Sequence, residues 1–213
     1  PAGTYNFGIY AIILKEIKCG ELKYGRGHYD YQEGTLVFLA PGQIIGVPET
    51  PDYTLSAGWG LFFHPDLIKG TPLGRHMDEY SFFSYEVNEA LHLSEKEKQI
   101  VYDCLHKIQY ELDQSIDKHS KRLITANIEL FLGYCTRFYD RQFITRDTTN
   151  KRSLEKFEQV LNSYFLSDKP RREGLPSVAY CASRLNLSPN YFGDLIRKET
   201  GRTAQEYIQS KII

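Results

Sequence analysis

The sequence predicts an α+β chain: a small N-terminal β-barrel, then an antiparallel helical hairpin, then an all-α segment containing a helix-turn-helix. Three observations carry that expectation. Through about residue 70, short runs rich in β-branched and aromatic residues are punctuated by Gly and Pro, the pattern of a small barrel or jelly roll. From residue 94 to about 139, apolar residues step by three or four, which is the helical period. Residues 175–207 then read as two short helices joined by a tight turn, the second opening on Ser-Pro. With 213 residues, 41% hydrophobic and 25% charged, the chain has ordinary globular composition and room for one or two domains.

The expected barrel occupies about 1–92. Tyr5–Lys18 is aromatic and β-branched, Gly20-Glu21 turns, and Lys23–Tyr31 alternates loosely. Gly34 leads into Thr35–Ala40, a buried strand stopped by Pro41-Gly42. Gln43–Val47 and Ser56–Phe63 are further strands, ended by Pro48 and by His64-Pro65-Asp66. The hairpin spans 93–139. Ser94 and Glu97 form a capping box for its first helix, whose stripe is Val101, Cys104, Leu105, Ile108, Leu112 and Ile116. The second helix begins near Ser120 and carries Leu123, Ile124, Asn127, Ile128, Phe131, Tyr134, Cys135 and Phe138. Residues 141–152 are polar, charged and without a period, so they are expected to be a linker closing a first domain at 1–140. A second domain, 153–213, opens with an amphipathic helix on Leu154, Phe157, Val160, Leu161, Tyr164 and Phe165. A basic loop follows at Ser167–Gly174.

Within the helix-turn-helix (176–200), Ser188 is a good N-cap, because its hydroxyl can accept a backbone N–H of the first turn. Pro189 falls where its missing N–H costs nothing, and Gly201 supplies a left-handed C-cap. Phe192, Leu195 and Ile196 face inward, with Asn190, Gly193, Asp194 and Arg197 opposite. Val178, Ala179, Ala182 and Leu185 give the preceding helix a stripe small enough for a steep crossing. Thr203 and Glu206 form a T-x-x-E capping box for the next helix.

The run A-x-x-A-x-x-L-x-L-S-P-x-Y-F-x-x-L-I-[RK]-K-E-T-G, from Ala179 to Gly201, resembles the first helix-turn-helix of the AraC family of bacterial transcription regulators. The following TAQEYI resembles the start of the helix that links the family's two DNA-binding units. Upstream, the order YxYxxGTLVFLAPGQ resembles the cupin-type sensor barrel of many members, and GWGLFFHPDLI and YSFFSYEVNEALHLSEKE resemble a bacterial subgroup. The chain opens on Pro1 and stops at Ile213 in mid-period without a C-cap. It is therefore expected to be a piece cut inside the linker helix, holding the first half of the AraC-type DNA-binding domain.

Charge is divided unevenly. Residues 1–140 hold 13 Lys+Arg against 19 Asp+Glu, a net of −6, while 141–213 hold 13 against 8, a net of +5. That sign reversal suits an acidic sensing half and a basic half that meets phosphates. No apolar run approaches the ~20 residues of a membrane span, so no membrane partner is expected. The cysteines Cys19, Cys104, Cys135 and Cys181 are scattered without CxxC spacing, and three of them sit on apolar helix stripes as buried thiols, which points to a reducing, cytoplasmic setting and away from structural zinc. His28 has Asp30 and Glu33 nearby but no H-x-H, so neither a metal nor another cofactor is expected. Gly25-Arg26-Gly27 is not followed by a helix and does not read as a phosphate loop. No nucleophile-and-base arrangement suggests an enzyme.

The resemblance implies a ligand-responsive regulator, an activator or a repressor. Its partners would be double-stranded DNA, a small-molecule effector, a second copy of itself through the hairpin, and RNA polymerase. It also implies a DNA-facing set of Ser188, Asn190, Tyr191, Gly193, Asp194, Arg197 and Lys198. Arg197 and Lys198 would meet phosphates, with Arg171, Arg172 and Arg202 as additions. Many members carry Arg at the position of Asp194; a carboxylate there can accept from a cytosine amino group but is repelled by phosphate. Tyr29, Phe38, Trp59 and Phe62 are the candidate lining of an effector cavity in the barrel. The alternatives are a cupin-type binding protein or enzyme, and an adaptor that has lost DNA binding.

Overall fold

The computed structural model describes residues 4–6, 8–15, 22–24, 27–29, 34–46, 58–86, 89–145 and 147–212. They form two compact units, one of residues 1–83 with 90–139, the other of 84–89 with 140–213.

The first unit is α+β. Its strands are β1 (Thr4–Asn6), β2 (Tyr10–Lys15), β3 (Leu22–Tyr24), β4 (Gly27–Tyr29), β5 (Thr35–Leu39), β6 (Ile44–Gly46), β7 (Gly58–Phe63) and β8 (Leu91–His92). All of the pairings among the described strands are antiparallel. The strands form an open antiparallel sheet in the order β7-β2-β5-β8 and two separate pairs, β1-β6 and β3-β4; the edge strands β7 and β8 are not bonded to each other. In the sheet, Ile12 lies opposite both Phe38 and Leu61, and Leu14 opposite both Leu36 and Trp59. Because side chains alternate along a strand, these residues share one face. On that face Ile12, Leu14, Leu36, Phe38 and Phe63 are buried, and Phe38 packs on Phe82, Phe83 and Tyr139; on the other face Ala11, Val37 and Leu39 are buried too.

Two short helices, α1 (Pro65–Ile68) and α2 (Pro72–His76), each begin with proline and are capped by His64 and Thr71. Only glycine fits at Gly74, since a Cβ there would stand 2.2 Å from the carbonyl oxygen of Ile68. The hairpin is α3 (Glu95–Asp113) and α4 (Ser120–Thr145). The Ser94–Glu97 capping box is formed in full. Val101, Cys104, Leu105 and Ile108 are buried on α3, and Ile124, Ile128, Phe131, Leu132 and Cys135 on α4. Leu112, Ile116 and Leu123, expected in the stripe, are exposed: Ile116 lies in the connection between the helices, Leu112 in the last turn of α3 and Leu123 in the first turn of α4. Asp117 closes that connection by accepting from the N–H groups of His119 (2.7 Å) and Ser120 (3.0 Å), which holds its carboxyl below the usual range.

The second unit is helical: α5 (Asp147–Phe165), α6 (Lys169–Glu173), α7 (Val178–Arg184), α8 (Pro189–Thr200) and α9 (Ala204–Gln209). Two expectations need correcting. The stretch 141–152 is not an irregular linker: α4 runs through it to Thr145, and α5 begins at Asp147. Two of its polar residues, Gln142 and Asn150, are taken out of solvent. Asn150, 2% exposed, donates to the carbonyl of Phe143 at 2.7 Å, and Gln142 is buried as well. The basic loop 167–174 also contains a helical turn, α6. The core joins Phe157, Leu161 and Tyr164 of α5 to Cys181 and Ala182 of α7 and to Phe192, Leu195 and Ile196 of α8. Phe157 meets Phe192 edge-on at 4.9 Å. Cys181 rather than Ala179 is the inward residue of α7; Ala179 is exposed. Burial pushes the Cys181 thiol up to about 11, and Cys135 of the first unit is raised for the same reason.

Candidate nucleic-acid interface

The two helices α7 and α8 meet through a turn whose backbone hydrogen bonds are all specified. Leu187 N–H donates to Ala182 (3.1 Å) and Asn186 N–H to Ser183 (3.3 Å), the paired bonds of a Schellman motif. Asn186 takes the left-handed conformation this motif requires, at φ 56°, which asparagine tolerates better than most residues. Ser177 caps α7 by accepting from Tyr180 N–H, and Ser188 caps α8 by accepting from Tyr191 N–H at 3.2 Å. Gly201, at φ 72°, ends α8 with its N–H on the carbonyl of Arg197.

The N-terminus of α8 also holds a carboxylate. Glu89, 3% exposed, accepts from Ser188 N–H at 2.7 Å and from the Ser188 hydroxyl, and also from Glu86 N–H at 2.8 Å. A negative charge at this end is favoured by the helix dipole. Burial nonetheless outweighs the hydrogen bonds and leaves the Glu89 carboxyl above its ordinary value.

The residues expected on the DNA-facing surface divide into two stripes. Asn190 and Arg197 are exposed, two helical turns apart, and a Cβ built on the half-buried Gly193 between them meets nothing within 4 Å. Ser188, Tyr191, Asp194 and Lys198 lie on an adjoining stripe whose members all have partners; Ser188 and Tyr191 are buried, Asp194 is half-buried and Lys198 is exposed. Ser188 and Tyr191 are 3% and 5% exposed, which corrects their placement on an open surface: one is spent on capping α8 and binding Glu89, the other packs against Tyr85 and Phe143. The Tyr85 hydroxyl donates to Asp194 at 2.6 Å. The Lys198 ammonium pairs with Asp140 and lies 5.4 Å from the ring centre of Phe143. Sequence reading missed Tyr85, Glu89, Asp140 and Phe143, because nothing near them in the chain marks them as partners of α8. Arg171, Arg172, Arg184 and Arg202 are exposed on the same unit.

In the first unit, Phe38, Trp59 and Phe62, the expected effector residues whose side chains are described, do not share one cavity wall. Phe38 is core, and Trp59 is half-buried on the same sheet face, edge-on to His106 at 5.2 Å. Phe62, 58% exposed, points from the opposite face by strand alternation. Tyr29 belongs to β4, and its side chain lies outside the described residues, as does that of His28. On the hairpin, an open groove of about 440 Å³ is lined by His106, Lys107, Tyr110, Glu111 and Asn127. Among the described residues, no three His, Cys, Asp or Glu side chains gather in a way that could hold a metal ion. No helix among them is long and apolar enough to cross a membrane. Comparison of the chain with protein-family models, with curated proteins and with solved structures finds no match in any of the three.

Proposed function

We propose that this chain is a ligand-responsive, sequence-specific DNA-binding regulator of the kind the AraC family represents. In this reading α7 and α8 are its first helix-turn-helix, and the β-rich first unit is a cupin-like effector sensor. One observation carries it: α8, capped by Ser188 and set on a Phe157–Phe192 core, presents Asn190 and Arg197 to solvent on one side, with unfilled space at Gly193 between them. A helix entering a major groove needs a donor-bearing side chain near its N-terminus, room for close approach, and a cation for the flanking phosphate. The exposed Arg171, Arg172, Arg184 and Arg202 extend the positive surface of the same unit.

The hairpin is the proposed dimer contact, which would set the spacing of two half-sites. Its support is the apolar surface left open there, where Tyr110 is 63% exposed, Leu123 44% and Leu130 46%. Sedimentation should give a dimer without DNA, and Leu130→Glu should dissociate it.

The DNA reading is tested by selection from a random-sequence duplex library. A recurrent motif is expected. Arg197→Ala should weaken binding to all sequences about equally. Asn190→Ala should relax preference at one base pair, by ~1–3 kcal/mol for a bidentate contact. If no sequence is enriched, and neither substitution changes binding, the reading fails and an adaptor role replaces it.

A further inference from the structure

We propose that the second unit holds α8 in a self-masked state, in which Tyr85, Glu89 and Asp140 occupy the positions that DNA would take along one stripe of the helix. The proposal rests on the DNA-binding reading above and concerns the regulation of that same site.

The stripe is Ser188, Tyr191, Asp194 and Lys198, at helical spacing from the first turn of α8 to the last. Each member has a partner supplied from outside the two helices. Glu89 sits on the N-terminus, accepting from Ser188 N–H and hydroxyl. A DNA phosphate seeks the same position, where backbone N–H groups and the helix dipole favour an anion. Tyr85 lies against the Tyr191 ring at 5.2 Å and donates to Asp194, occupying the acceptor that a cytosine amino group would use. Asp140 neutralises Lys198, a cation otherwise available to phosphate, and Phe143 packs beneath both Lys198 and Tyr191. Two carboxylates thus stand where phosphates are expected, and a phenol stands where a base edge is expected. Asn190 and Arg197, on the adjoining stripe, remain exposed. The stripe is therefore engaged along its length, by burial at Ser188 and Tyr191 and by an exposed ion pair at Lys198, while the other side is open, which suits weak, non-committal contact with DNA until the cover is displaced.

Glu89 and Tyr85 belong to a short segment, 84–89, whose chain neighbours on both sides belong to the first unit, whereas every residue they touch on α8 belongs to the second. The cover is thus not part of the helix-turn-helix chain segment itself.

The test uses the 213-residue chain and a fluorescent random-sequence duplex pool at fixed salt. Tyr85→Phe removes the bond to Asp194 without changing charge or ring packing. Asp140→Asn and Glu89→Gln are close in shape and neutral. Glu155→Gln, on the exposed face of α5, is the control for the simple loss of one negative charge. Tyr85→Phe should tighten binding about ten- to a hundredfold, as expected for losing a hydrogen bond to a charged acceptor that DNA must break. The Asp140 and Glu89 variants should gain more than the Glu155 control. Gained binding is a readout that mere loss of stability does not give. If Tyr85→Phe binds DNA as the unmodified chain does, and the three carboxylate variants gain equally, the mask is overturned while the DNA reading stands. If neither the unmodified chain nor any variant binds the duplex, the DNA reading itself falls, and the mask with it.

Discussion

The N-termini of α8 and α9 are built from nearly the same hydrogen bonds, yet their carboxylates come from very different places. At α9, Thr203 N–H and hydroxyl donate to Glu206 at 2.8 and 2.9 Å, and Glu206 N–H returns to the Thr203 hydroxyl at 3.2 Å. At α8, Ser188 N–H and hydroxyl donate to Glu89, and Tyr191 N–H returns to the Ser188 hydroxyl at 3.2 Å. The first carboxylate is three residues away in sequence and exposed; the second is 99 residues away and buried. A helix whose cap is closed by its own residues forms that end by itself. One whose cap is closed from a distance completes its end only when a remote segment has arrived, and can lose it again without unfolding.

The largest difference should appear on truncation. Glu89→Ala leaves the buried Ser188 N–H without an acceptor, so the second unit should lose about 1–3 kcal/mol in urea unfolding. Glu206→Ala should cost clearly less, because water reaches Thr203 and replaces the lost acceptor. Equal costs would mean that the two caps are energetically alike and that the origin of the carboxylate is immaterial.

The second difference is one of sign with pH. Burial raises the Glu89 carboxyl above its ordinary 4.5, so its charged form opposes folding. Its contribution is most favourable below 4.5 and is lost as pH climbs through the raised value. Thr203 N–H lowers the Glu206 carboxyl, so its contribution is present above 4.5 and lost as pH falls through the lowered value. Unfolding midpoints measured across acid and neutral pH should therefore shift in opposite directions for Glu89→Gln and Glu206→Gln. Relative to the unmodified chain, the first variant gains as pH rises and the second gains as pH falls. Parallel profiles would remove the distinction.

What the sequence revealed follows the same division. T-x-x-E at 203–206 and S-x-x-E at 94–97 declare both the cap and its carboxylate, and both boxes are formed. Ser188, Pro189 and Gly201 were legible as the bounds of α8 for the same reason: each acts within one turn of itself. Glu89 was not, since no spacing rule connects a residue in the short segment 84–89 to a cap so far along the chain. The helical path through 141–152 was hidden because its polar residues, Gln142 and Asn150, look solvent-seeking until a buried carbonyl such as that of Phe143 is there to receive them. Strand spacing showed that the first unit is β-rich, but it does not say which strands pair: the order β7-β2-β5-β8 joins segments far apart in the chain. Phe62 and Phe38 looked equivalent as aromatics, and only the register puts them on opposite faces.

The smallest effect expected probes α8 apart from its remote cap. Gly193→Ala places a methyl in open space in a helix interior, so it should stabilise the second unit by about 1 kcal/mol. The gain should be the same with Glu89 or with Gln at position 89. A gain that depends on position 89 would show that the cap reaches into the second turn of the helix.

The buried cysteines give each unit a clock of its own. Thiolate is the species that alkylating reagents attack, and Cys181 in the second unit, raised to about 11, holds almost none at neutral pH while it stays buried. Cys104 and Cys135 are sequestered in the same way in the first unit. Reagent added to the native protein therefore marks each site only at the moment its own surroundings open. Peptide mapping over time would then record two opening rates from one sample, with no label attached beforehand.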